Sequence, residues 1–190
     1  TDANGNAYSG KLAPGQYRIV EVQDRDGTYW TYDAQIEKNV TVLAGGQAVI
    51  TYTNTQYGRM TFKKTTNTGN HLEGWTFRVT DANGNHVGDY TTDSTGSVTT
   101  GKLVPGRYHV QELSTNDPYW VCDLTTHTLD VTAGCTVTST WKNTEHGKVS
   151  FRKTTNTGEN LSGWIISIYA DSACTKQVAT VTTGEGGTAS

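Results

Sequence analysis

The stretch Gly58-Arg59-Met60-Thr61-Phe62-Lys63-Lys64-Thr65-Thr66-Asn67-Thr68-Gly69 returns as Gly147-Lys148-Val149-Ser150-Phe151-Arg152-Lys153-Thr154-Thr155-Asn156-Thr157-Gly158, from position 58 to position 147, an offset of 89 residues. Within it Met60, Phe62 and Lys64 alternate with Thr61 and Lys63, the period-two pattern of a strand with one face turned inward. Other blocks recur around it. Leu72-Glu73-Gly74-Trp75 comes back as Leu161-Ser162-Gly163-Trp164, and Gly10-Lys11-Leu12-Ala13-Pro14-Gly15-Gln16-Tyr17 as Gly101-Lys102-Leu103-Val104-Pro105-Gly106-Arg107-Tyr108. Tyr29-Trp30 matches Tyr119-Trp120, and Asn54-Thr55 matches Asn143-Thr144. Self-similarity at a fixed spacing marks tandem repeats. One whole copy is expected over residues 58–146, preceded by the C-terminal part of another over 1–57 and followed by the N-terminal part of a third over 147–190. The chain reads as a window cut from a longer array.

Composition agrees with strands. The 190 residues are 34% hydrophobic and 17% charged, with 21 Gly, ten Tyr and five Trp. Thr and aromatic residues favour pleated surfaces, and Gly and Asn favour tight turns. Turn signals at Asn83-Gly84, Ser94-Thr95-Gly96 and Pro105-Gly106 separate the alternating runs. An all-β, two-sheet sandwich of the immunoglobulin-like kind is predicted. A net charge of -3 argues against a nucleic-acid surface, and no apolar run is long enough to enter a membrane as a spanning helix.

Three polar residues break the pattern by falling on inward faces. Lys64 follows Met60 and Phe62, Glu112 follows Tyr108 and Val110, and Asn143 follows Trp141. The partial copies repeat the violation. Lys153 follows Val149 and Phe151, Glu21 follows Tyr17 and Ile19, and Asn54 follows Ile50 and Tyr52. The outward Lys63 becomes Arg152, while the inward Lys64 stays lysine as Lys153. Lys and Glu are almost never fully buried without a partner.

Desolvation favours the neutral amine of a buried lysine and the neutral acid of a buried glutamate. A neutral amine is a nucleophile. A protonated Glu112 donating to the Asn143 carbonyl would polarise it, and attack on the side-chain carbon would expel ammonia and leave a Lys–Asn isopeptide bond. The other reading is a buried Lys–Glu ion pair capped by Asn, which costs desolvation and adds little stability. Pattern alone leaves both open; the repetition of the trio points to the covalent one.

At these residues the sequence resembles a known family. The segments Gly58–Lys64, Leu72–Asp81, Gly101–Leu113 and Trp141–Thr144, with Leu103-x-Pro105-Gly106-x-Tyr108-x-Val110-x-Glu112 as their most specific part, are similar to the Cna-B (SpaA-like) repeat domains of Gram-positive surface adhesins and pilins. The resemblance implies a reversed immunoglobulin-like, prealbumin-like sandwich. It also implies a stalk or spacer of a cell-wall-anchored fibre, without cofactor or enzymatic turnover. Isopeptide formation would fall on Lys64 and Asn143 with Glu112 promoting it, on Asn54 with Glu21 in the first part, and on Lys153 in the third. Neighbouring repeats are the implied partners, and the two partial domains are complementary enough to associate head to tail. No Leu-Pro-x-Thr-Gly sorting signal or Tyr-Pro-Lys-Asn pilin motif is present in these residues.

Other signals are weaker. Cys122 and Cys135 each follow a strand-like run and could pair, or both could be thiols; Cys174 is left over. Asp2-Ala3-Asn4-Gly5-Asn6 and Asp81-Ala82-Asn83-Gly84-Asn85 share part of a calcium-loop pattern but lack its downstream Glu, so a turn is expected. The five histidines show no metal-ligand spacing. Asn39 and Asn160 head glycosylation sequons, idle in a bacterial protein. Trp30, Trp75, Trp120 and Trp164 fit either core packing or a carbohydrate platform, and the platform supports the alternative function, a ligand-binding adhesin module for glycan or host matrix protein.

Overall fold

The computed structural model describes residues 1–22, 29–113 and 118–190. They form two compact units, Thr1–Thr144 and Glu145–Ser190, so the first partial copy and the whole copy share one unit. Secondary structure among the described residues is entirely β. The first partial copy contributes β1 (Gly15–Val20) and β2 (Glu37–Val42). The whole copy contributes β3 (Arg59–Thr66), β4 (Thr76–Asp81), β5 (His86–Thr91), β6 (Ser97–Thr99), β7 (Gly106–Glu112), β8 (Trp120–Val121), β9 (Thr126–Val131) and β10 (Thr136–Glu145). The third adds β11 (Phe151–Arg152), β12 (Ile165–Tyr169), β13 (Gln177–Thr182) and β14 (Thr188–Ala189).

The whole copy is a sandwich of two four-stranded sheets, ordered β6-β3-β10-β8 and β5-β4-β7-β9. Every alternate residue of β3 from Met60 to Thr66 is buried, as are Phe77 and Val79 of β4, Tyr108, Val110 and Glu112 of β7, and Trp141 and Asn143 of β10. The period-two pattern therefore sets each strand's inward face. Between the sheets, Phe62 meets Trp141 edge-on at 5.6 Å and Phe77 meets the same indole at 4.7 Å. Each such fully buried side chain stabilises the fold by about 1.5–3 kcal/mol.

The first and last strands lie side by side and run parallel, with Arg59 opposite Thr136 and Lys64 opposite Trp141. Every other sheet contact for which the register is defined in this copy is antiparallel. The connecting turns are self-contained. Asp81 Oδ1 accepts the N–H groups of Asn83 and Asn85 at 2.8 and 2.9 Å, and Asp2 Oδ1 does the same for Asn4 and Asn6 at 2.9 Å each. The two Asp-Ala-Asn-Gly-Asn segments are turns whose aspartate is occupied by its own backbone.

The partial copies repeat the local structure of the parts they contain. β1 pairs β2 as β7 pairs β9, β11 pairs β14 as β3 pairs β6, and β12 pairs β13 as β4 pairs β5. The Tyr108 hydroxyl donates to Val104 O at 2.7 Å across Pro105-Gly106, and Tyr17 donates to Ala13 O at 2.8 Å.

Candidate functional site

Lys64, Glu112 and Asn143 come from three strands and both sheets. Lys64 and Asn143 lie on adjacent strands, two registers apart: Lys64 faces Trp141, and Asn143 faces Thr66. Glu112 ends β7 on the opposite sheet, level with Phe77 of β4. All three are sealed from solvent, with exposures of 2%, 1% and 0% respectively. Lys64 Nζ donates to Glu112 Oε2 at 2.6 Å, and Asn143 Nδ2 donates to Glu112 Oε1. One carboxylate thus bridges the amine and the carboxamide.

The surroundings fix each side chain. The Lys64 N–H donates to Gly96 O at 2.7 Å, tying β3 to the loop before β6. Gly96 has φ of +75° and lies against Lys64 O; a Cβ there would sit 2.9 Å from that oxygen, so only glycine fits. Lys64 Nζ lies 4.6 Å from the centre of the Trp75 ring, whose Nε1 donates to His71 O at 2.7 Å. Burial pushes the Lys64 ammonium below its usual pKa, and the adjoining Glu112 carboxylate opposes that shift.

Asn143 Oδ1 accepts the backbone N–H of Asp123 at 2.8 Å. Of the two carboxamide heteroatoms only the oxygen accepts from an N–H, so this contact sets the amide orientation and turns Nδ2 toward Glu112. The sequence suggested instead that Glu112 would polarise the Asn carbonyl. The structure differs: the carboxylate touches the amine and the amide nitrogen, and a backbone donor touches the oxygen. Asp123 is held by Thr125, whose hydroxyl and N–H donate to Asp123 Oδ1 at 2.6 and 3.1 Å; the hydroxyl bond is the largest cause of its lowered carboxyl pKa. Sequence reading missed Asp123, because a main-chain donor leaves no side-chain signature. Its signal was positional: Trp30-x-x-Asp33 recurs as Trp120-x-x-Asp123.

The partial copies hold fragments of the same site. In the first, Asn54 Nδ2 donates to Glu21 Oε1 at 2.7 Å, but the Asp33 N–H goes to Glu21 Oε2 at 3.3 Å. Asn54 Oδ1 is buried with no hydrogen-bond partner among the described residues. In the third, Lys153 Nζ lies 4.3 Å from the Trp164 ring and donates to Thr154 O at 3.2 Å, while the Lys153 N–H donates to Gly187 O at 2.7 Å. Lys153 is only half-buried, and among the described residues it meets no carboxylate.

The candidate disulfide is not formed; Cys122, Cys135 and Cys174 are free thiols. Cys122 precedes Asp123, which touches Asn143 near the C-terminal end of β10, whereas Cys135 precedes the first residue of that strand, Thr136. Seven residues of strand at about 3.3 Å each put roughly 20 Å between those levels, beyond the ~7 Å Cα limit for a disulfide. In the whole copy the tryptophans pack rather than face outward: Trp75 is buried and meets Trp120 edge-on at 5.2 Å. Trp30 and Trp164 of the partial copies are exposed.

A family model described as the SpaA prealbumin-like fold domain matches residues 58–145. This segment is a SpaA domain. No curated protein matches the sequence. Among solved structures, the Bacillus anthracis TIE protein is 23% identical, with 80% of this chain and 28% of that one covered and a TM-score of 0.45. BcpA, the major pilin subunit of Bacillus cereus, is 22% identical over 52% of this chain and 31% of its own, at 0.43. The full-length major pilin SpaD of Corynebacterium diphtheriae is 20% identical over 50% of this chain and 31% of its own, at 0.41. The chain spans less than a third of the length of each of these proteins. The SpaA domain here is an all-β, prealbumin-like sandwich with the Lys64–Glu112–Asn143 cluster at its core.

Proposed function

We propose that the SpaA domain is a load-bearing spacer of a Gram-positive cell-surface fibre, and that it staples itself with an isopeptide bond between Lys64 and Asn143. The observation that carries this is the dry contact of an amine and a carboxamide through one carboxylate. Burial weakens the ammonium form of Lys64, and proximity replaces a large part of the barrier to attack on Asn143 Cγ. The domain acts on itself once, so it is structural rather than an enzyme.

The topology supports the mechanical reading. Tension entering at Arg59 and leaving at Glu145 would load opposite ends of two parallel neighbours, β3 and β10. Their hydrogen bonds would be sheared together rather than unzipped singly. A bond between Lys64 and Asn143 would pass the force directly between the strands and keep residues 65–142 off the load path. Intact-mass measurement tests this: the chain should weigh about 17 Da less than its sequence, one ammonia lost to the amine's attack. The unmodified mass overturns the reading.

The partners implied are neighbouring copies of the repeat. Asn54 Oδ1 and Glu21 in the first part, and Lys153 in the third, hold the two halves of one such cluster. Head-to-tail association of two molecules would bring those halves together. Covalent or non-covalent ladders at high concentration are the expected result, and a strictly monomeric protein under those conditions rejects the association.

A further inference from the structure

We propose that the backbone N–H of Asp123 is the oxyanion donor of the crosslinking step, and that the lysine itself places it there. The proposal rests on the isopeptide reading above and goes beyond it, because it assigns a role to a group outside the trio and an order to the assembly.

The argument is a comparison between two copies of one site. In the whole copy Glu112 Oε2 accepts the amine, Oε1 accepts the amide nitrogen, and the Asp123 N–H is left for Asn143 Oδ1 at 2.8 Å. Among the described residues of the first partial copy no lysine reaches Glu21; Lys38 Nζ donates instead to Asp33 Oδ2 and Thr51 O. There the equivalent N–H, that of Asp33, turns to Glu21 Oε2 at 3.3 Å, and Asn54 Oδ1 is left buried without a donor. Across the two copies the equivalent N–H meets two different acceptors, a carboxamide oxygen in one and a carboxylate in the other. The carboxylate is the stronger acceptor and wins when free. When the ammonium occupies it, the N–H moves to the carboxamide. Correct strand docking thereby switches on carbonyl polarisation, and an incompletely assembled domain has an unpolarised Asn.

The step balances as follows. Lys64 Nζ passes one proton to Glu112 Oε2 and attacks Asn143 Cγ, and the carbonyl electron pair moves onto Oδ1. The Asp123 N–H meets that oxygen in a site closed to water, where such a donor acts most strongly. Glu112 returns its proton to Nδ2, the Cγ–Nδ2 bond breaks, and the carbonyl reforms. The second proton of Nζ passes to Glu112 and leaves with the ammonia as ammonium. One Nζ–Cγ bond has formed, one Cγ–Nδ2 bond has broken, and nothing is oxidised or reduced.

The test is the full chain carrying an ester in place of the amide at position 123, made with the α-hydroxy analogue of aspartate. Ammonia loss is followed by intact mass after refolding, with near-ultraviolet circular dichroism confirming the packed core. The ester should slow crosslinking by about 10²–10³-fold, the effect of removing one oxyanion donor. A rate within threefold of the unaltered chain, ~3-fold being too little for such a donor, overturns the proposal. If the unaltered chain itself loses no ammonia, the isopeptide reading fails instead. A second measurement does not depend on the ester folding. In Lys64→Met, the through-hydrogen-bond coupling of the Asp123 amide nitrogen should pass from the Asn143 side-chain carbon to that of Glu112. Persistence of the coupling to Asn143 contradicts the switching role of the lysine.

Discussion

Replacing Glu112 with glutamine tests the staple most directly. The change is nearly isosteric, keeps both side chains of the proposed bond, and removes the carboxylate that bridges Nζ and Nδ2. Glu112→Gln should therefore fold, keep its ammonia, and lack the bond. The loop closed by that bond runs from residue 64 to residue 143, which is 80 residues counted inclusively. By the chain-entropy relation developed for disulfides, opening it costs about 4.5 kcal/mol at 25 °C. The SpaA domain of 88 residues, 58–145, has an unfolding entropy of about 2.1 cal/mol/K per residue, so the loss corresponds to a fall in Tm of roughly 20–25 °C. Leaving buried Lys64 without its counter-charge can only add to this, so the figure is a lower bound. Differential scanning calorimetry alongside intact mass is the assay. If the unaltered protein carries the bond and Glu112→Gln melts less than about 10 °C lower, the loop-entropy argument is wrong.

Three other outcomes are expected. At Gly58 a Cβ would lie 2.5 Å from both Thr132 O and Val131 Cγ1; Gly58→Ala should thus cost about 1–3 kcal/mol through overpacking, read as a lower urea midpoint at unchanged slope. Asp33 accepts the N–H groups of Gln35 and Thr53 and the amine of Lys38, which bring its pKa from 3.8 to about 2. Because the folded value is the lower one, its stabilising contribution is present above pH 3.8 and is lost as pH falls through about 2. Amide exchange at Thr53 should accelerate in that window, and protection unchanged down to pH 2 contradicts the assignment. Finally, Cys135 and Cys174 are exposed thiols; iodoacetamide should alkylate both in the native protein without reductant, and resistance at Cys135 that reductant relieves would restore a disulfide.

The division of labour between sequence and fold is visible residue by residue. Alternation alone placed Met60, Phe62 and Lys64 on one inward face and Tyr108, Val110 and Glu112 on another, because a strand's side-chain period is a local property of its backbone. The internal repeat separated the inward Lys64 from the outward Lys63. Patterning therefore sufficed for the all-β class and for the identity of the three polar core residues.

It could not say which atoms of those residues meet. That depends on β3 and β10 pairing in parallel with Lys64 opposite Trp141, and on the second sheet bringing Glu112 over them, both of which are contacts between residues far apart in the chain. It also depends on Asp123, whose contribution is a main-chain N–H common to nearly every residue type and thus invisible to composition or motif. The cysteines make the same point in reverse. Cys122 and Cys135 are only 13 positions apart in sequence, yet the intervening chain carries them to opposite ends of β10. Local pattern determined what each strand would bury; only the packing of one sheet on the other decided which buried groups meet.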